Sequence, residues 1–213
     1  MQSYVAFTLS LFIGAVFNEP QMMSGEVMLT KGKSTPSDHS SQSEDYLYRV
    51  YTILQNRGDP AEAIRLSNIA ISLQNTSTAY IYRAFARNIL DDKSGAVRDY
   101  TIALQLDPNN KDAFLNRGLI KSSQGNRLGA IIDFDRAIQI DPSDGKSFDA
   151  RAYALMELGR DKDACRDYMK AVSLNHEETI RWFHSVDSFW CRGSHWMHPS
   201  ALTANALHFS ASS

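Results

Sequence analysis

The sequence predicts an all-α fold of stacked helical hairpins, and three observations carry that expectation. A 34-residue period runs through the middle of the chain, apolar residues within each period recur three and four apart, and Asp-Pro pairs fall at the period boundaries. The first half of each period, such as DAFLNRGLIKSSQG, has the spacing of one amphipathic helix, and the second half has that of another. Bulk composition permits such a fold. The 213 residues carry 22 Lys+Arg against 24 Asp+Glu, a formal charge of −2, so no single-sign field exists for gripping nucleic acid. With 43% hydrophobic and 22% charged residues, the chain is neither generally disordered nor a disulfide-dense scaffold.

The period appears when GAVRDYTIALQLDP (Gly95 to Pro108) is laid on GAIIDFDRAIQIDP (Gly129 to Pro142), a shift of 34 residues. A third copy, DACRDYMKAVSLN, starts at Asp163, and a divergent earlier copy, EAIRLSNIAISLQN, starts at Glu62 and lacks the aromatic and the proline. Ala63, Ala96, Ala130 and Ala164 fall in register, as do Ala70, Ala103, Ala137 and Ala171, small residues that let helices approach closely. Behind them Ile71, Leu104, Ile138 and Val172 supply an apolar stripe. Pro108 and Pro142 end the second helices, and Asn110 and Asp144 are expected N-caps of the helices that follow.

The period, the paired helices, the paired small residues and the Asp-Pro boundaries resemble tetratricopeptide (TPR) repeats, four of them, at 44–76, 77–110, 111–144 and 145–178. The resemblance implies a right-handed α-solenoid, a superhelix of antiparallel helix pairs, whose concave face binds extended or helical segments of partner proteins. It also implies which residues line that face: Tyr48 and Thr52, Ile81 and Phe85, Leu115 and Leu119, then Asp149 and Tyr153. The same residues can alternatively pack within the solenoid. Asn116 and Lys146 match two members of the clamp with which some TPR domains hold a C-terminal carboxylate. Ile81, Phe85 and Asp149 stand at the other clamp places, and an aspartate repels a carboxylate, so that subtype is not expected.

Arg83, Arg117 and Arg151 are each followed 16 residues later by an aspartate, Asp99, Asp133 and Asp167. At the corresponding places of the first repeat the alignment puts Val50 and Leu66. Loss of both members together points to structural ion pairs between the two helices of each unit, because a lone half-buried charge is costly.

At the N-terminus, Tyr4 to Phe17 form an apolar run of 14, short for a membrane span and suited to a signal h-region. Residues 1–17 therefore read as signal-like, with export to a periplasmic or secreted location favoured. A membrane tether through residues 4–17 and a plain apolar tail stay open. Residues 18–43 read as a flexible linker, 179–192 as an apolar capping segment containing Ile180, Trp182, Phe183, Phe189 and Trp190, and 193–213 as a low-complexity tail.

Cys165 occupies the place of Ile64, Val97 and Ile131, which makes it a small hydrophobe of the last repeat. The resemblance extends to the ends of exported bacterial TPR proteins, where a cysteine in the last repeat and one shortly after it can pair. Cys165 and Cys191 are thus a candidate disulfide, with a free buried thiol and a redox site as the other readings. His184, Cys191, His195 and His198 fit no zinc signature, and no P-loop, GxGxxG, HExxH or GxSxG pattern occurs. The expectation is a non-enzymatic protein-interaction scaffold with no cofactor, no small-molecule substrate and no nucleic acid. The alternative is a self-associating structural or assembly subunit.

Overall fold

In the computed structural model, the described residues are 39–183 and 191, and those in regular structure are all helical. The signal-like run, linker residues 18–38, and the tail lie outside them. The elements are α1 (His39–Gln55), α2 (Pro60–Leu73), α3 (Ser77–Ile89), α4 (Lys93–Leu106), α5 (Lys111–Ser123), α6 (Arg127–Ile140), α7 (Gly145–Glu157), α8 (Asp161–Ser173) and α9 (Glu177–Phe183). The described residues divide into two compact units, one ending at residue 120 and the other beginning at residue 121. In the first, α1 packs on α2, α2 on α3 and α3 on α4; in the second, α6 packs on α7, α7 on α8 and α8 on α9.

The repeat residues do what their size allows. All eight register alanines are fully buried, and the aromatics Tyr100, Phe134 and Tyr168 fill the space beside them. The first repeat has Ser67 at the aromatic's place, also fully buried, its hydroxyl donating to the Ala63 carbonyl at 2.8 Å. Burial pushes the Tyr100 phenol far above its ordinary value, so it stays neutral.

Helix ends follow from particular side chains. Asp92 and Asn126 accept from the N–H of Gly95 and Gly129, each at 2.9 Å. A Cβ on Gly95 would stand 2.0 Å from the Asp92 carboxylate and one on Gly129 2.6 Å from the Asn126 amide, so the glycine is what lets the cap fold over the first turn. Gly95→Ala should therefore displace the Asp92 cap and cost about 1 kcal/mol, read as a lowered thermal midpoint. Asn110 caps α5 as expected, accepting from Ala113 N–H at 2.9 Å. Asp144 stands at the N-cap of α7, but its carboxylate accepts from the Ser147 hydroxyl, not from the backbone. At the Asp-Pro boundaries Asp107 and Asp141 close α4 and α6, and their carboxylates accept from Asn109 and Ser143 N–H at 3.2 and 3.0 Å.

Two expectations need correction. Residues 39–43, assigned to the linker, are the first turn of α1, held there by buried Ser43, whose hydroxyl donates to the Ala70 carbonyl at 3.2 Å. The first repeat is also displaced by one residue in its first helix. The turns between paired helices place Arg57, Asp91, Gly125 and Gly159 at positive φ, a constant spacing of 34, whereas the second helix of repeat one precedes the next by 33. The extra residue lies between Arg57 and Pro60. The equivalent of Arg83 is consequently Arg49, not Val50, and the equivalents of Ile81 and Phe85 are Leu47 and Tyr51, not Tyr48 and Thr52.

Candidate functional site

The charged positions of the first helices build a ladder. Arg83 grips Asp99 with two parallel bonds, Nε to Oδ2 at 2.9 Å and Nη2 to Oδ1 at 2.7 Å, and Arg87 adds a third at 2.8 Å. Arg151 grips Asp167 in the same fork, at 2.7 and 2.8 Å, which raises the guanidinium pKa further above its ordinary value. Asp99 and Asp133 are 1% exposed, so their charges need these partners. Asp133 pairs with Lys121 at 2.8 Å. Each arginine also lies over the aromatic three residues before it, Arg49 on Tyr46, Arg83 on Tyr80, Arg117 on Phe114 and Arg151 on Phe148, with centroid distances of 5.1 to 5.6 Å.

The ladder has rungs that the sequence reading missed. Arg83 reaches back to Asn68 Oδ1 at 2.7 Å, Arg117 to Thr101 Oγ1 at 3.1 Å, and Arg151 to Asp135 Oδ1 at 2.7 Å. These partners lie on the second helix of the preceding repeat, 15 or 16 residues upstream. The regular spacing was a usable signal, but the three acceptors are an amide, a hydroxyl and a carboxylate, so no residue type repeats.

In the first repeat the pairing is broken on one side only. Arg49 persists as an exposed cation, while Leu66 is buried where the other repeats carry aspartate. The two members therefore do not vanish together as the displaced alignment indicated.

The expected groove residues are scattered. Tyr48 is 64% exposed. Thr52 is exposed and its hydroxyl donates to the Tyr48 carbonyl. Ile81 is half-buried against Ala84, Ala96, Tyr100 and Ile120. Phe85 is buried in a core of Val50, Leu54, Ala63, Leu66 and Ala86. Leu115, Leu119 and Asn116 are buried as well, so Phe85, Leu115, Asn116 and Leu119 do not form an open stripe. Asn116 donates Nδ2–H to the Asp112 carbonyl at 2.8 Å, and its buried Oδ1 has no hydrogen-bond partner among the described residues.

In the second unit Lys146 and Tyr153 are half-buried, and Asp149 is buried with the Thr179 hydroxyl donating to it at 2.5 Å. Asp149 thus serves an internal contact and not a groove wall. What the first unit does present is aromatic: the Tyr51 and Tyr82 rings lie 6.3 Å apart, one helical turn from Tyr48, and Gln55 Nε2 donates to the Tyr51 hydroxyl at 2.6 Å.

Cys165 and Cys191 are joined as a disulfide across 26 residues, with Cα atoms 5.5 Å apart and both residues buried. Of the capping segment, Thr179 is buried and Ile180 half-buried; the side chains of 182–190, and His195 and His198, lie outside the described residues. Among the described residues no three His, Cys, Asp or Glu side chains gather as a metal site, and no helix is long and apolar enough to cross a membrane.

The tetratricopeptide-repeat family profile matches residues 112–144 and 146–177, within about a residue of the third and fourth units read from the sequence. No curated protein matches the chain. Among solved structures, a crystal structure of MamA aligns at 23% identity with a TM-score of 0.59, covering 65% of this chain and 81% of that one. MamA 41-end from Desulfovibrio magneticus RS-1 aligns at 20% identity with a TM-score of 0.65, over 83% of this chain and 100% of that one. The Arabidopsis OM64 TPR domain aligns at 24% identity with a TM-score of 0.53, over 55% and 97%. These likenesses concern the fold, an all-α solenoid of helix pairs. The chain thus carries tetratricopeptide repeats at residues 112–144 and 146–177, within an all-α fold of consecutive helix pairs that it shares with these structures.

Proposed function

We propose that the chain is a protein-interaction module, a scaffold or adaptor that binds a partner peptide or helix. The observation that carries this reading is where the side chains are used. The buried carboxylates Asp99, Asp133 and Asp167 are tied to cations as structural pairs, whereas Tyr48, Tyr51 and Tyr82 leave aromatic surface on α1 and α3. Tyrosines offer large contact area at low entropic cost and often anchor interfaces. The partner-contacting face of the first unit therefore runs over Tyr48, Tyr51, Ile81 and Tyr82, with Phe85 behind it.

Crosslinking in the native cell, followed by capture on the full chain, tests this reading. Tyr48→Ala should weaken the partner complex by about 1–3 kcal/mol with the thermal midpoint unchanged. Salt should matter little, because the face is apolar and the net charge is −2. Unaltered capture by a Tyr48→Ala, Tyr51→Ala double variant would reject this face.

A second reading, self-association as a structural or assembly subunit, draws on Leu128 and Ile132. They are 66% and 63% exposed on α6, where the neighbouring repeats place Ser94 and Arg98, or Lys162 and Arg166. Sedimentation distinguishes the two: a protein that is oligomeric as the natural chain and monomeric as Ile132→Arg supports self-association. Export is part of the proposal too, supported by the Cys165–Cys191 bond, since disulfides persist in oxidising compartments.

A further inference from the structure

A chain of three side chains fastens α9 to α7. Thr179, in the first turn of α9 and 1% exposed, gives its hydroxyl proton to Asp149 Oδ1 at 2.5 Å. The same oxygen lies 2.5 Å from His176 Nδ1. A hydroxyl has one proton, so with the Asp149 carboxylate ionised the order of donation is imidazole to hydroxyl to carboxylate, and with the carboxyl protonated the chain can run the other way. His176 is itself held close: its backbone N–H donates to the Ala171 carbonyl of α8 at 3.1 Å, and its Cβ lies so near Gly145 of α7 that a Cβ there would stand 2.8 Å away.

We propose that His176, Thr179 and Asp149 form a proton-sharing latch that seats α9 on α7 and blunts the response of that seating to pH. The two ends of the latch respond to pH in opposite directions. Burial pushes the Asp149 carboxyl up to about 7, with Glu178 adding to the rise and the Thr179 bond opposing it. Its contribution to seating is full below the ordinary carboxylate range and is lost as pH rises to about 7. Burial lowers His176 below its ordinary 6.5, and Lys146 lowers it further, while Glu178, Asp144 and Glu177 act against the shift. Its contribution is present above 6.5 and is lost as pH falls through the lowered value.

The charged groups acting on the latch therefore come from α7 and its entry, Asp144 and Lys146, and from α9, Glu177 and Glu178, while α8 presents the Ala171 carbonyl. Where the two ranges overlap, the seated latch keeps a proton on the carboxyl and the unseated segment keeps it on the imidazole. Opening then takes up or releases little net proton, so its cost changes less with pH than either end alone would make it.

Hydrogen exchange of the α9 amides in the full chain, corrected for intrinsic rate, tests the latch between pH 4.5 and 8. The natural chain should show a shallower dependence on pH than either single variant, because its two ends act against each other. In His176→Gln the carboxyl acts alone, and protection should fall about tenfold per pH unit as pH rises toward 7. In Asp149→Asn the imidazole acts alone, and protection should fall as pH drops below 6.5. Opposite slopes in the two variants support the latch, which a merely structural contact would not produce. Slopes of the same sign, or a level profile in His176→Gln, would overturn it. The His176→Gln arm decides the question even where Asp149→Asn fails to fold.

Discussion

Phe85→Ala should destabilise the first unit by about 3–5 kcal/mol, because it empties the centre of a packed core. Phe85 is 5% exposed and touches the cluster of Val50, Leu54, Ala63, Leu66 and Ala86, with Tyr46, Ile53 and Tyr82 packed around it. Its neighbours lie on three helices, α1, α2 and α3, so no single element can move in to fill the space. Chemical denaturation should show a lower midpoint for the variant, and Phe85→Leu should recover part of the loss. Near-wild-type stability with lost partner binding would return Phe85 to the groove, where sequence reasoning had put it.

Arg83→Ala combined with Arg87→Ala should cost about 3–5 kcal/mol, more than the two single losses added. Asp99 is 1% exposed and accepts from both guanidiniums, so either one alone keeps its charge compensated. Without both, a carboxylate is left buried and unpaired. The first repeat shows the remedy, since Leu66 fills the same place without any charge. Adding Asp99→Leu to the double variant should therefore restore much of the stability. Strict additivity of the two arginine substitutions, measured by denaturant unfolding, would show that the guanidiniums act independently on Asp99.

Much of the fold was legible because the repeat supplies its own comparison. Ala63 and Ala70, with their counterparts, could be placed in the core before any helix was seen, since only small residues recur at those places. The Arg83–Asp99 and Arg151–Asp167 pairs were legible for the same reason. The displacement in the first repeat was not. An extra residue after Arg57 and a missing one before α3 nearly cancel, and the helical periodicity on either side is undisturbed.

Phe85 was misplaced because an aliphatic or aromatic residue repeating on one helix face has the same pattern whether it meets a partner or a neighbouring helix. The Asp149–Thr179 contact joins residues 30 apart and belongs to no repeat, so nothing in the period announced it.

The backward rungs of the arginine ladder bear on how the array comes apart. A repeat array melts cooperatively only as far as its neighbour-to-neighbour contacts exceed the cost of a boundary between folded and unfolded parts. All three rungs are charge-assisted by their arginine, but those of the first unit end on an uncharged amide at Asn68 and an uncharged hydroxyl at Thr101, whereas that of the second ends on the Asp135 carboxylate as an ion pair. Added salt therefore loosens the neighbour-to-neighbour contact of the second unit more than those of the first.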